Sequence, residues 1–262
     1  MDLLLIWIVL FSLLGGVLSV LAASVFLIVP GVIRDRLLPH SVSFAIGALL
    51  GAAFLALLPH AIAHPAVRDV HDVTKTVLAG LLIFFVLEKM VLWRHCHTHD
   101  CEAHAPEEHK HEHQRMSSAT MILIGDGLHN FVDGILIAAA FMTDFHLGVV
   151  TALAVAAHEI PQEVGDFIVL LNSGMSRLRA LTLNLLSSLT SVVGAVLAYV
   201  GLSNNALIPY VLAIAASSFI YVAVADLIPG LHKRSHPLDS LKQLVLIITG
   251  VLVISMAHST LH

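Results

Sequence analysis

Two apolar stretches of the chain carry side chains that can bind metal ions. Residues 129–134 read His-Asn-Phe-Val-Asp-Gly, and residues 158–163 read His-Glu-Ile-Pro-Gln-Glu. No lysine or arginine occurs between Arg115 and Arg177, although the two apolar stretches in this interval carry five carboxylates: Asp126, Asp133, Glu159, Glu163 and Asp166. Because a buried anion without a cationic partner is costly, it either takes up a proton or binds a cation. The pattern therefore predicts a bound metal ion.

Helical spacing brings these side chains together. His129 and Asp133 are four residues apart, as are His158 and Gln162, so each pair lies on one face of a helix. Both histidines lie about 11 or 12 residues into their apolar stretches, roughly 16–18 Å deep and near the middle of a bilayer. Imidazole nitrogen together with carboxylate oxygen favours zinc and neighbouring divalent metals over magnesium or calcium.

The composition indicates that membrane-spanning helices position these residues. The chain has 262 residues, 58% of them hydrophobic and 12% charged, whereas a soluble domain carries about 25% charged residues. Eight apolar runs approach the roughly 20 residues that cross a bilayer as a helix. We therefore predict an all-α integral membrane protein without a soluble catalytic domain or a nucleic-acid partner. The predicted spans are 3–29, 41–63, 74–93, 117–142, 147–172, 178–201, 207–229 and 241–261.

The distribution of basic residues predicts the orientation. Eleven of the 13 lysine and arginine residues lie on the side where the odd-numbered spans end, whereas Arg68 and Lys75 lie on the other side. The positive-inside rule makes the basic side cytoplasmic. Both termini should then face the outside or a lumen. Segment 94–116, which is rich in histidine and contains Cys96 and Cys101, should be a disordered cytoplasmic loop that binds metal or acts only as a tether.

Residues 125–134 and 158–166 resemble the paired signatures of the ZIP metal transporters, most closely those of the branch with His-Glu-x-Pro-His-Glu. The resemblance covers the whole chain, 1–262, as a single transmembrane domain. It implies a bundle in which the first three and last three spans form an inverted repeat around spans four and five. It also implies movement of metal from the outside or a lumen into the cytosol, and a homodimer.

The resemblance further implies two adjoining metal sites. The primary site would comprise His129, Asp133, His158 and Gln162. Asn130 and Glu159 would form the second site, sharing side chains with the first. Three further carboxylates are candidates as ligands or as partners that hold a histidine: Asp126, Glu163 and Asp166.

The transported ion is expected to be Zn²⁺, with Fe²⁺, Mn²⁺ and Cd²⁺ as alternatives, and no catalytic cofactor is expected. Gln162 stands where this branch of the family usually has histidine, and a neutral carboxamide is a weaker ligand. Ala52 and Ala56 occupy places where the family often has an aspartate and a histidine. The sequence thus predicts a site with fewer ligands than those of its relatives.

Two other functions fit parts of the pattern. A cation-diffusion exporter also pairs histidine with aspartate and carries histidine-rich loops, but it usually has six spans and a cytoplasmic carboxy-terminal domain. A membrane metallohydrolase would need His-Glu-x-x-His, and here Gln162 replaces the second histidine while Pro161 interrupts the helix. We therefore predict a transporter and not an enzyme.

Two further polar groups have open interpretations. His60, His64 and His71 lie near the outer surface, where histidine either gathers metal or is simply amphipathic. The sixth span carries four small polar residues that we expect to join helices through hydrogen bonds. They are Asn184, Ser187, Ser188 and Thr190.

Overall fold

The protein is a bundle of helices that run alternately up and down. The computed structural model describes residues 2–26, 28–97, 107–202, 205–232 and 237–261, and this part of the chain contains no strand. The all-α class is therefore confirmed. The α-helices are α1 (Leu3–Gly15), α2 (Val17–Phe26), α3 (Gly31–Gly51), α4 (Leu58–Ala63), α5 (Val70–His97), α6 (Glu107–Thr143), α7 (Phe145–Asn172), α8 (Arg177–Ser188), α9 (Thr190–Gly201), α10 (Ile208–Tyr221), α11 (Ile228–His232) and α12 (Pro237–Leu261).

These helices form eight successive stretches long enough to cross a bilayer. The first, second, sixth and seventh stretches combine two helices each (α1 with α2, α3 with α4, α8 with α9, α10 with α11), and the others are single helices. Among the described residues, seven stretches are also apolar enough to be membrane spans. The remaining one is α7, whose 28 residues extend about 42 Å at 1.5 Å per residue. Its apolar sequence is interrupted by the carboxylates and histidine that the sequence singled out.

The helix boundaries differ from the predicted ones around the histidine-rich segment. Helix α5 continues to His97 and α6 begins at Glu107, so helices cover both ends of the segment 94–116 that the sequence assigns to a loop. Residues 98–106, which include His99, Cys101 and His104, lie outside the described residues. The disorder expected of this loop therefore stays a prediction.

The second and seventh spans each contain a π-helical segment. It covers Ala52–Leu57 in the second span and Val222–Leu227 in the seventh. At the end of each segment a backbone N–H reaches back five residues, to the carbonyl of Ala53 or of Ala223. A proline follows two residues later in both spans, and its missing N–H disturbs the regular helical ladder nearby. The shared irregularity indicates that the two spans occupy equivalent places in a repeat.

Helix packing supports the same repeat. Helix α3 of the second span packs against α12, just as α10 of the seventh span packs against α5. The first span packs on α7, and the sixth span packs on α6. This pairing relates spans one to three to spans six to eight around α6 and α7, which is the inverted arrangement expected from the resemblance.

Glycines allow the close crossing that fixes α6 against α9. A Cβ atom at Gly134 would overlap the carbonyl oxygen of Ser191, and one at Gly194 would overlap the carbonyl oxygen of Phe131. Small residues at such crossings let helix backbones approach closely in a membrane. The crossing therefore fixes the rotation of α6 about its axis, and with it the direction of the side chains on α6.

The outer helices present apolar surfaces. Only 11% of the most apolar window of α5 is buried inside the bundle, and the same holds for α12. Large apolar side chains such as Leu82, Phe85 and Leu252 are exposed there. Lipid tails would cover these faces in a bilayer, so α5 and α12 lie at the periphery. The buried carboxylates of the described residues all lie on α6 and α7.

Candidate metal centre

A tight connection between α6 and α7 sets the depth of the two histidines. Asp144 alone separates the helices, and its side chain caps α7 by accepting the N–H groups of His146 and Leu147 at 2.8 and 3.0 Å. His129 lies 14 residues before the end of α6, and His158 lies 13 residues after the start of α7. Antiparallel helices joined this closely must therefore hold the two imidazoles at the same level.

Four predicted ligands meet at this level. His129, Asp133, His158 and Glu159 each offer one ligand-type atom, and these atoms lie within 4.8 Å of one another. The two Nε2 atoms are 3.1 Å apart. Asp133 Oδ2 lies 3.8 Å from Nε2 of His129 and 3.3 Å from that of His158. Glu159 Oε1 lies 3.4 and 3.8 Å from the same two nitrogens. We call these four residues the central group.

The spacing of the central group suits a tetrahedral metal ion. Zinc binds nitrogen and oxygen at about 2.0–2.1 Å, so neighbouring ligands of a tetrahedral zinc are about 3.3–3.4 Å apart. The five distances between ligand-type atoms of the central group range from 3.1 to 3.8 Å and therefore include that value. With two neutral imidazoles and two carboxylates, the central group carries a charge of about −2, which a divalent cation neutralises. Mixed nitrogen and oxygen ligands are those that zinc accepts.

The backbone orients His158 for this role. Its Nδ1 lies 3.0 Å from the carbonyl oxygen of Ala154, one turn earlier on α7. A carbonyl only accepts hydrogen bonds, so Nδ1 carries the proton and Nε2 presents its lone pair to the central group. A hydrogen bond from the ring nitrogen that does not bind the metal usually fixes the orientation of a ligating histidine.

The carboxylates of the central group lack hydrogen-bond donors. Asp133 and Glu159 are 1% and 0% exposed, and within the described part of the chain neither oxygen of either group accepts a hydrogen bond. No lysine or arginine among the described residues forms an ion pair with them. Buried carboxylates are normally satisfied, so these orphaned oxygens indicate a ligand other than a protein donor.

A second carboxylate group adjoins the first and shares Glu159 with it. Asp126, Glu159 and Glu163 offer oxygen atoms within 4.8 Å of one another. Asp126 accepts hydrogen bonds from the amide of Asn130 at 2.9 Å and from the hydroxyl of Ser187. Glu163 Oε2 accepts from another residue of the sixth span, Asn184, at 2.9 Å, while its Oε1 accepts none among the described residues. We call these three residues the inner group.

The other predicted ligands differ in their hydrogen bonds. Asn130 is buried, but its amide donates to the backbone and side chain of Asp126, so it supports the inner group. Gln162 and Asp166 are half-buried on α7, and within the described residues neither forms a hydrogen bond to the two groups. Glu159 provides the fourth ligand-type atom of the central group, whereas the resemblance gives the fourth place of the primary site to Gln162. Whether Asn130, Gln162 and Asp166 bind metal stays a prediction.

Sequence reasoning missed the specific role of the sixth span. Asn184 and Ser187, interpreted only as residues that join helices, hold the carboxylates Glu163 and Asp126. Their spacing of three residues places them on one face of α8, which is a signal that could have been found. The ring of Phe219 on α10, whose centroid lies 6.0 Å from that of His158, gave no such signal.

The fold and the central group together define a multi-span membrane protein with a buried group of candidate metal ligands, and comparison with known proteins identifies its family. The family model described as ZIP Zinc transporter matches residues 93–258. The chain belongs to this family, which consists of transporters and not enzymes, as the sequence predicted.

Named relatives agree with this membership. The chain is 32% identical to zinc transporter ZIP13 of Pongo abelii over 231 residues, which cover 82% of this chain and 65% of that protein. It is 30% identical to zinc transporter ZIP13 of Mus musculus, over 80% of this chain and 67% of the relative. A shorter match of 118 residues is 44% identical to zinc transporter ZIP4 of Homo sapiens, over 45% of this chain and 18% of that protein. The chain thus spans about two thirds of the length of these ZIP13 proteins.

Proposed function

We propose that this protein carries divalent metal ions, with zinc as its main cargo, across a membrane into the cytosol. The observation that carries the proposal is the central group, in which four near-tetrahedral ligand atoms lie midway along two helices without a cationic partner. Family membership and the names of the relatives support zinc as the cargo. Fe²⁺, Mn²⁺ and Cd²⁺ prefer overlapping ligand sets and remain the competing cargoes.

The residues of the central group would bind the ion and replace its water shell. His129 and His158 provide neutral nitrogen, whereas Asp133 and Glu159 provide the charge that offsets dehydration. The inner group would receive the ion next. Asp126 precedes His129 on α6, which starts at the basic side of the bundle, and Glu163 follows Glu159 on α7, which ends there. Because Glu159 belongs to both groups, it can contact the ion throughout this step.

The orientation follows from charge. The side of the bundle where α5 ends and α6 begins carries most of the basic residues, and we propose that this side is cytoplasmic. The central group would then be loaded from the outside or a lumen, and the inner group would lie on the way to the cytosol. The homodimer implied by the resemblance is also part of the proposal, and light scattering of the detergent-solubilised protein would test it.

Radiolabelled zinc uptake into proteoliposomes tests the proposed cargo and the central group. The unchanged protein should take up ⁶⁵Zn²⁺ down its gradient. His158→Ala and Asp133→Ala should each reduce the initial rate at least tenfold, because each removes one of four ligands. His146→Ala is the matched control, since it removes an imidazole from the same helix, away from the group. Uptake at the normal rate in the variant lacking both His158 and Asp133 would overturn the site.

The two native cysteines provide a test of orientation. Cys96 and Cys101 lie in the segment proposed to be cytoplasmic, and they are the chain's only cysteines. A membrane-impermeant maleimide should label them in intact cells only after permeabilisation. Ser259 lies at the opposite end of the bundle. If the protein is in the plasma membrane, a variant with Cys96→Ser, Cys101→Ser and Ser259→Cys should therefore be labelled from outside the cell. The reverse labelling pattern would invert the transport direction and favour an exporter.

A further inference from the structure

Two histidines from different spans meet at the end of the bundle opposite the basic side. His60 lies on α4, at the end of the second span, and His258 lies in the last turn of α12, at the end of the eighth. Their ring centroids are 5.3 Å apart and the rings meet edge to face at 74°. Both side chains are half-buried. Residues 198 positions apart in the sequence therefore form an imidazole pair. The sequence analysis grouped His60 with His64 and His71 and did not predict a contact with His258.

His60 is held in the same way as the ligand His158. Its Nδ1 lies 2.8 Å from the carbonyl oxygen of Ala56, one turn earlier. Because that carbonyl only accepts, Nδ1 carries the proton and Nε2 carries the lone pair that a metal ligand must present. His158 makes the equivalent contact with Ala154 at 3.0 Å. The protein thus uses the same backbone device at the imidazole pair as in the central group.

The neighbouring histidines are arranged differently. Nδ1 of His64 accepts the backbone N–H of Ala66 at 3.2 Å, which places the ring proton of a neutral imidazole on Nε2. His71 is exposed, and its Nδ1 contacts Asp69 at 2.8 Å. Hydrogen bonds from the backbone and side chain of His71 lower the pKa of Asp69, so this carboxylate stays anionic. It adds negative charge on the same side, which attracts cations.

The imidazole pair is connected to the central group through packed helices. The π-helical segment that precedes α4 packs against α7, which carries His158, and α12 also packs against α7. His158 lies 13 residues from the start of α7 and His60 three residues from the end of α4. At 1.5 Å per residue, the pair therefore lies about 15 Å nearer the surface than the central group.

We propose that His60 and His258 provide two ligands of a separate binding site for a divalent cation of the zinc type. Two imidazoles suit zinc, copper and nickel, and they bind less tightly than four ligands. On the proposed function, this pair lies on the outer side and collects the ion before it reaches the central group. The role in loading rests on that function, whereas binding by the pair does not.

Two measurements test the imidazole pair, with zinc as the probe in both. Equilibrium dialysis of the full chain should give one bound Zn²⁺ fewer in the His60→Ala, His258→Ala double variant than in the unchanged protein. In proteoliposomes, the same variant should raise the half-saturating ⁶⁵Zn²⁺ concentration about tenfold, with a maximal rate within twofold. Each single variant should match the double variant, since either histidine alone is too weak a site.

His64→Ala is the control, because it removes a nearby histidine whose Nε2 is protonated. It should change neither quantity. Unchanged zinc stoichiometry in the double variant would overturn the site, and unchanged half-saturation with one ion lost would overturn its role in loading. If the unchanged protein binds the extra ion but transports no zinc, the proposed function fails and the imidazole pair stands. A normal melting temperature of the double variant excludes misfolding as the cause of a lost ion.

Discussion

Replacing Asp133 by asparagine should remove most of the stabilisation that zinc gives to the folded protein. The change keeps the side chain's shape but removes the charge from one of the four ligand atoms of the central group. A ligand at a hundred times its Kd stabilises the folded state by about 2.7 kcal/mol. In a protein of this size, 1 kcal/mol corresponds to about 2–4 °C in Tm. Zinc at that concentration should therefore raise the Tm of the unchanged protein by about 5–10 °C.

The expected loss in the variant follows from the same relation. Loss of a partner that only supports a metal ligand weakens binding about 10–100-fold, so loss of a charged ligand should reach at least the upper value. The Kd of the variant then rises to about the fixed free zinc concentration, at which the stabilisation is about 0.4 kcal/mol and the Tm shift about 1–2 °C. Thermal unfolding in detergent, followed by tryptophan fluorescence at fixed free zinc, measures this shift.

Asp144→Asn is the matched control for this experiment. It makes the same chemical change at the N-cap of α7, where asparagine caps a helix as well as aspartate does. The control should keep the full zinc-induced shift. If Asp133→Asn also keeps the full shift, Asp133 is not a ligand and the central group has been assigned incorrectly.

Three further substitutions test the surroundings of the site. Ser187→Ala removes a donor to the buried Asp126 and should lower the free energy of unfolding by about 1–3 kcal/mol; an unchanged denaturation midpoint in detergent would contradict the need for this bond. Gly134→Ala should cost about 1–3 kcal/mol because its Cβ meets the backbone of α9, whereas Gly165→Ala, with open space around it, should stabilise α7 by up to about 1 kcal/mol. Equal Tm values for these two variants would exclude the close crossing. His158→Asp replaces nitrogen by oxygen and should shift the ion preference from zinc towards manganese in competition binding; an unchanged preference would show that His158 is not a ligand.

The pairing of His129 with His158 could be predicted from sequence because it depends on quantities that sequence contains. Helical periodicity places His129 and Asp133 on one face. The short polar interval around Asp144 indicates where α6 ends and α7 begins, so the two histidines must lie at similar depth. Neither step requires knowledge of how the bundle packs.

The rotation of each helix could not be obtained in the same way. Asn130 and Glu159 each follow a histidine by one residue, about 100° around the helix axis, and the resemblance placed both in the second site and neither in the central group. The structure turns Glu159 into that group and Asn130 towards Asp126. On α6 the backbone crossing at Gly134 fixes this rotation. Such a contact joins distant parts of the chain and leaves no periodic signal.

The place of Glu159 also changes the meaning of Gln162. From the sequence, a glutamine in the usual place of a histidine predicts a site short of one ligand. In the structure the central group has four ligand atoms without Gln162, because Glu159 supplies the fourth and adds a negative charge that a histidine would lack. The four ligand-type atoms of the central group thus do not depend on Gln162, and metal binding by Gln162 stays a prediction. Since Glu159 is also a member of the inner group, an ion that uses it in one group weakens the other, and this favours passage of one ion at a time.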